Sequence, residues 1–192
     1  FETGGNQLNA MTGFVDSIGI YAVNKDGTKA KQLVEPTDAM TNHKVISTIA
    51  IHRLPEDPEH ILVMRNDRKR YYLDVYRMNI YTGKFFRVLA QPGPVTNWAV
   101  DNNGVVRMAT MQDENSLSYE TQIMYRDNED SEWVEVDRFE GMQNGWNSLG
   151  FTEDNEKIYV TSNLGRDTYA LSIFDPATGE LEDLFENEGT DV

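Results

Sequence analysis

Arg166 and Asp167, in the stretch Ser162-Asn163-Leu164-Gly165-Arg166-Asp167-Thr168-Tyr169, are the sharpest pair of chemistry-bearing residues in this chain. A guanidinium beside a carboxylate can bridge two structural elements through paired hydrogen bonds. Alternatively, Arg166 could face a tunnel and meet the carboxylate of a peptide. Trp98 and Trp146, each next to an asparagine (Asn97, Asn147), stand 48 residues apart at what look like equivalent points of a repeated pattern. Each is expected to open a strand, and to serve either in packing between repeats or as an aromatic platform for a ligand. The run "NDRKRYY", Asn66 to Tyr72, is the one basic stretch, expected to be a solvated loop or a contact to another domain.

The residues that would carry catalysis are sparse. The three histidines are His43, His52 and His60, none in a His-Glu-x-x-His or His-x-x-Glu-His frame, and all three are expected to be structural. No Gly-x-Ser-x-Gly nucleophile elbow occurs; the nearest string, "WNSLG" from Trp146 to Gly150, has Trp in the first glycine position. Asp127-Asn128-Glu129-Asp130 is carboxylate-rich, as a calcium loop would be, but lacks the glycine and trailing glutamate of an EF-hand and is taken as a hairpin turn. Neighbouring carboxylates such as Glu153-Asp154 and Glu182-Asp183 are not taken as an acid/base pair, because successive strand residues point to opposite faces. No metal site or cofactor is expected.

The elements that must position these residues repeat. "LDVYRMNIYTGKFFRVL", Leu73 to Leu89, has a near-copy in "YALSIFDPATGELEDLF", Tyr169 to Phe185, with Thr82-Gly83 and Thr178-Gly179 96 residues apart. Both show the alternation of a two-faced strand, a turn with a glycine able to take positive φ, and a second short strand. Weaker copies lie at Ile18 to Val34, around Asp26-Gly27, and at Thr121 to Phe139. Upstream of three of these hairpins runs another strand–turn–strand unit, whose second strands open at Ile61-Leu62, Val105-Val106 and Ile158-Tyr159. Each module is thus four short strands in about 45 to 50 residues.

Composition agrees. The 192 residues are 39% hydrophobic and 10% aromatic, enough for a core. Seventeen basic against 32 acidic residues, a net charge of −15, speak against a nucleic-acid backbone or an anionic membrane as partner and suit a soluble protein. No apolar run approaches the length of a transmembrane helix. The absence of cysteine removes disulfides, thiol nucleophiles and thiolate metal sites. The chain opens on Phe1, without a signal peptide's pattern, and looks cut or processed from something longer.

Four strands per period of about 48 residues is the pattern of a β-propeller, because one twisted four-stranded sheet covers only part of its own apolar surface and stacked blades cover each other. The expectation is all-β: one partial propeller of about three and a half antiparallel blades, a half blade at 14–35 and blades at about 44–90, 95–140 and 145–187. The leading segment is expected to be too short and polar to supply two inner strands. An isolated arc of this kind is expected to self-associate through its uncovered faces.

Asp74 to Ala109, "DVYRMNIYTGKFFRVLAQPGPVTNWAVDNNGVVRMA", and Ile158 to Glu180, "IYVTSNLGRDTYALSIFDPATGE", resemble the propeller domain of bacterial serine peptidases of the prolyl oligopeptidase family, of the dipeptidyl aminopeptidase or acylaminoacyl peptidase type. The ordered combination of the Tyr-Thr-Gly turn, Trp98 and Gly165-Arg166-Asp167 carries the resemblance, which covers about residues 44–187. It implies a non-catalytic propeller that caps an α/β-hydrolase domain of the same parent chain and restricts peptide access to a triad outside these residues. The alternative is a stand-alone propeller of the TolB or WD-repeat kind that binds protein partners; a propeller enzyme such as a lactonase or glycosidase is a third, weaker reading.

Overall fold

The computed structural model describes residues 2–3, 19–37, 45–112, 120–140, 145–187 and 189–192. Among them there is no helix; every regular element is a strand in an antiparallel sheet. The chain divides into two compact units, residues 1–93 and 94–192.

The first unit holds two sheets. One contains β1 (Glu2–Thr3), β2 (Ile20–Ala22) and β3 (Lys31–Val34), in that order. The other is a meander of β4 (Thr48–Arg53), β5 (His60–Arg65), β6 (Asp74–Asn79) and β7 (Phe85–Leu89). Ile20 and Val34 of the first sheet pack with Ile61, Val63, Tyr76 and Met78 of the second. The sequence led us to expect only a hairpin here, but the backbone of Glu2–Thr3 pairs with β2 and adds a third strand. A pairing of two residues needs no alternating apolar pattern, so it left no signal in a polar segment.

The second unit holds two four-stranded meanders. They are β8 (Val95–Val100), β9 (Val106–Gln112), β10 (Thr121–Tyr125) and β11 (Val134–Phe139), then β12 (Trp146–Phe151), β13 (Ile158–Ser162), β14 (Ala170–Asp175) and β15 (Glu180–Phe185). Strand alternation turns Ala99, Met108, Ile123 and Tyr125 of the first meander toward Trp146, Phe151, Ile158, Val160 and Phe174 of the second, and these nine residues form one core. The outer strand β15 is mostly exposed and β11 half so, as the last strand of a sheet covered on one side should be.

The repeated hairpins share their turns atom for atom. Gly83 N donates to Asn79 O at 2.9 Å and Gly179 N to Asp175 O at 2.8 Å, with φ of 72° and 73°. The side chains of Asn79 and Asp175 accept from the amides that follow, Tyr81 N at 3.0 Å and Ala177 N at 2.9 Å. The left-handed φ is what selects glycine there. In the turn between β12 and β13 this job falls to Asn155, with φ of 63°, where the β8–β9 turn has Gly104; asparagine is among the few other residues that tolerate this region.

Candidate functional site

Arg107, on β9, organises the second unit. Its side chain is 11% exposed, and the guanidinium donates to Asn155 O at 2.7 Å, to Arg126 O at 3.3 Å and to the Tyr125 hydroxyl. It also lies 3.6 Å from the buried Asp101 carboxylate and stacks over the rings of Tyr125 and Phe151 at 5.2 and 5.1 Å. The planar five-donor fork suits such a multiply bonded, buried position better than a lysine. A second tie joins the turns of the same two sheets: Asn102 N and Nδ2 both donate to Asn155 Oδ1 at 2.8 Å, and Nδ2 also reaches Thr152 O at 2.7 Å.

Beside these ties, at the end of the sheets that carries the hairpin turns, opens a cleft of about 700 Å³. Tyr125, Val134, Val136 and Pro176 give it apolar surface, and Arg126 and Lys157 stand among its charges. Both cations are already engaged. Arg126 donates to Val106 O and Glu129 O, each at 2.8 Å, and lies over Trp133 at 4.7 Å; Lys157 is 3.5 Å from Asp175. Burial pulls the Arg126 guanidinium below its ordinary value against the attraction of Glu129 and Asp130. Burial likewise pushes the Tyr125 hydroxyl up, opposed by the charge of Arg107. The cleft is therefore a recess that presents both signs of charge together with apolar side chains.

Arg166 sits in the β13–β14 loop and is bound within its own sheet, by Asp183, and by Glu186 at 2.9 Å, rather than by Asp167, which is exposed. Asp183 in turn accepts from Ser172 Oγ at 2.6 Å, and the Ser172 and Arg166 hydrogen bonds hold its carboxyl below the usual range. The expected Arg166–Asp167 pair bridging two blades is thus replaced by a tie from loop to outer strand. The reason is geometric: β15 returns alongside β14 and brings Asp183 to the loop.

Trp98 and Trp146 are both buried, but their positions are not equivalent. Trp146 does open its strand; Trp98 is the fourth residue of β8. Counted back from the turns, Trp146 matches Val95 and Trp98 matches Leu149, because turn-to-turn spacing here is 51 residues rather than the average 48. Trp146 packs between the two sheets, 4.8 Å from the Phe174 ring and 6.3 Å from that of Phe139, with its indole N–H donating to Asp137 at 2.5 Å. Trp98 points to the opposite face of its sheet from Ala99 and packs against Trp133, with ring centroids 5.7 Å apart and planes tilted by 52°.

The remaining candidates serve turns. His60 Nδ1 lies 2.8 Å from Asp57, whose carboxylate also binds Arg77, so it ties down the β4–β5 turn; His52 is half-buried in β4, and His43 lies outside the described residues. In the acidic stretch 127–130, Asn128 accepts from Asp130 N at 3.0 Å and Ser131 N at 3.3 Å. Asp154 accepts from Thr152 Oγ1 at 2.5 Å and from Glu156 N at 3.0 Å. Among the described residues no group of three or more His, Asp or Glu is placed to hold a metal ion.

No protein-family model and no curated protein matches the chain. Among solved structures it matches the crystal structure of TolB from Acinetobacter baumannii, with a TM-score of 0.58 and 13% identity over 88% of this chain. The match spans 38% of that chain's length. At this identity the likeness defines a fold: the chain is an all-β, partial β-propeller similar to that of TolB.

Proposed function

We propose that this chain is a non-catalytic propeller segment that recognises polypeptide, and that it belongs to a serine peptidase of the prolyl oligopeptidase family, where it contacts a separate α/β-hydrolase domain and restricts peptide access to it. The observation that carries this reading is the ordered set of motifs, Tyr-Thr-Gly, Trp98 and Gly165-Arg166-Asp167, placed on a propeller scaffold. The cleft beside Arg107 supports the recognition half, since its lining offers charged groups of both signs and apolar side chains to an extended peptide. By this reading the chain does no chemistry, and Arg166 shapes the loop through Asp183 and Glu186.

The likeness to TolB favours a second reading, a propeller module that binds proteins and has no hydrolase attached. The two separate on the parent reading frame and its activity. The peptidase reading expects a downstream Gly-x-Ser-x-Gly and hydrolysis of aminoacyl or acylpeptide chromogenic substrates by the parent but not by this chain; a parent lacking both moves the assignment to the binding module. In either setting the separate chain is expected to self-associate, since Tyr159 and Phe185 lie exposed on one face of the β12–β15 sheet.

A further inference from the structure

The loop between β5 and β6, residues 66–73, stands out in a chain of net charge −15. Asn66, at the end of β5, fixes its base: Oδ1 accepts from Ser47 N at 2.7 Å, and Nδ2 donates to Val45 O at 3.2 Å and Arg70 O at 2.5 Å. Arg68 clamps the loop to the sheet through two parallel bonds to the buried Asp74, at 2.8 and 3.0 Å. Arg87, on β7, lies 3.7 Å from the same carboxylate. One buried carboxylate therefore serves two guanidiniums, and Gln91 N takes a third share of it at 2.9 Å.

Lys69 and Arg70, both exposed, have no carboxylate partner among the described residues. Their contacts are aromatic: Lys69 lies over the ring of Tyr72 at 5.7 Å, and Arg70 over that of Tyr71 at 5.1 Å, with Tyr71 itself 52% exposed. The corresponding loop of the β12–β15 sheet makes the contrast. It has the same asparagine clamp, Asn163 Oδ1 accepting from Gly145 N at 3.0 Å, but its cation, Arg166, is satisfied by Asp183 and Glu186 of its own sheet. A loop held rigid at its base, with two cations that lack a carboxylate and lie on tyrosines, one exposed and one half-buried, gives up little conformational freedom when it binds.

We propose that Arg68 to Tyr72 form a docking knuckle for an acidic polypeptide segment, Lys69 and Arg70 pairing with its carboxylates while Tyr71 covers its aliphatic or peptide surface. This names the partner chemistry of the recognition role above and rests on that reading. The remaining acidic charge does not abolish the attraction, because at physiological salt charges more than about 8 Å apart are largely screened. It does weigh against nucleic acid, whose continuous line of phosphates runs well past a patch this small.

The test is fluorescence anisotropy of a labelled octaglutamate peptide with this chain, against octaglutamine and a twelve-residue oligothymidylate. The result expected is octaglutamate binding that weakens with salt and falls at least tenfold in Lys69→Glu/Arg70→Glu. It should change less than threefold in Lys25→Glu/Lys29→Glu, which makes the same charge change in the exposed β2–β3 turn. Lys69→Gln/Arg70→Gln, a milder change on the same exposed side chains, should fall between. Octaglutamate binding no tighter than octaglutamine, equal losses in the two Glu pairs, or tighter binding of the oligothymidylate would each overturn the proposal. Because binding is read without hydrolysis, its failure leaves the peptidase assignment standing, and failure of that assignment leaves this result intact.

Discussion

Replacing Arg107 by methionine keeps most of the apolar stem but removes the guanidinium that joins the two sheets of the second unit. The substitution breaks a buried ion pair with Asp101 and the bonds to Asn155 O, Arg126 O and Tyr125. Removing one partner of a buried pair costs about 3–5 kcal/mol. Asp101 keeps two amide donors, Val105 N at 2.9 Å and Asn103 N at 3.0 Å, so its charge is not stranded and the cost should sit near the lower end, about 3 kcal/mol. Arg107→Lys retains the charge but not the fork, and should cost about 1–2 kcal/mol. All three tryptophans, Trp98, Trp133 and Trp146, lie in the second unit, so in urea unfolding followed by tryptophan fluorescence the signal comes from that unit. With a slope of about 1–3 kcal/mol/M, Arg107→Met should lower the midpoint by about 1–3 M. An Arg107→Met midpoint indistinguishable from that of the native chain would refute the view that this side chain holds the sheets together.

Gly83 and Gly179 occupy matching turns, but a Cβ on Gly83 would stand 2.6 Å from Leu33 O, whereas one on Gly179 meets open space. Alanine at either costs about 1–2 kcal/mol for the left-handed backbone. Gly83→Ala should exceed Gly179→Ala by a further 1 kcal/mol or so, read by urea unfolding followed by circular dichroism, and equal losses would contradict the close approach of β3 to this turn. Burial, together with its hydrogen bond to Asp67, pushes the Tyr76 hydroxyl up to about 12. A folded value above the unfolded one gives stability that is complete below about pH 10 and lost as pH rises toward 12. The native chain should therefore lose stability relative to Tyr76→Phe across that window, and parallel curves would count against it. Sedimentation at micromolar concentration should show self-association that Tyr159→Lys/Phe185→Lys weakens; a strictly monomeric native chain would sink that expectation.

The sheets were legible because each strand carries a two-residue alternation and each hairpin a turn residue with a defined backbone need, so Thr82-Gly83 and Thr178-Gly179 locate the same turn in two blades. Asn155 was not legible as a turn residue, since asparagine is equally at home in other loops; its pairing with Asn102 depends on two turns meeting in space. Arg107 was missed for a similar reason. In "GVVRMATM" it looks like the solvent-facing member of an alternating strand, and apart from Asp101 its partners lie 18 to 48 residues further on. The average period of 48 misaligned Trp98 with Trp146, because turn lengths differ between blades. The pairing of Asn66 and Asn163, each closing the second strand of its sheet, was a signal available in the sequence, 97 residues apart, that would have located both clamped loops.

The central claim, a non-catalytic segment of a serine peptidase, is tested most directly by treating the full-length parent with a fluorophosphonate probe and mapping the labelled residue by mass spectrometry. The account predicts one labelled serine, outside residues 1–192, with no labelling of this chain on its own. A label on a serine within these residues, or a parent that hydrolyses no peptide and takes up no probe, would contradict it.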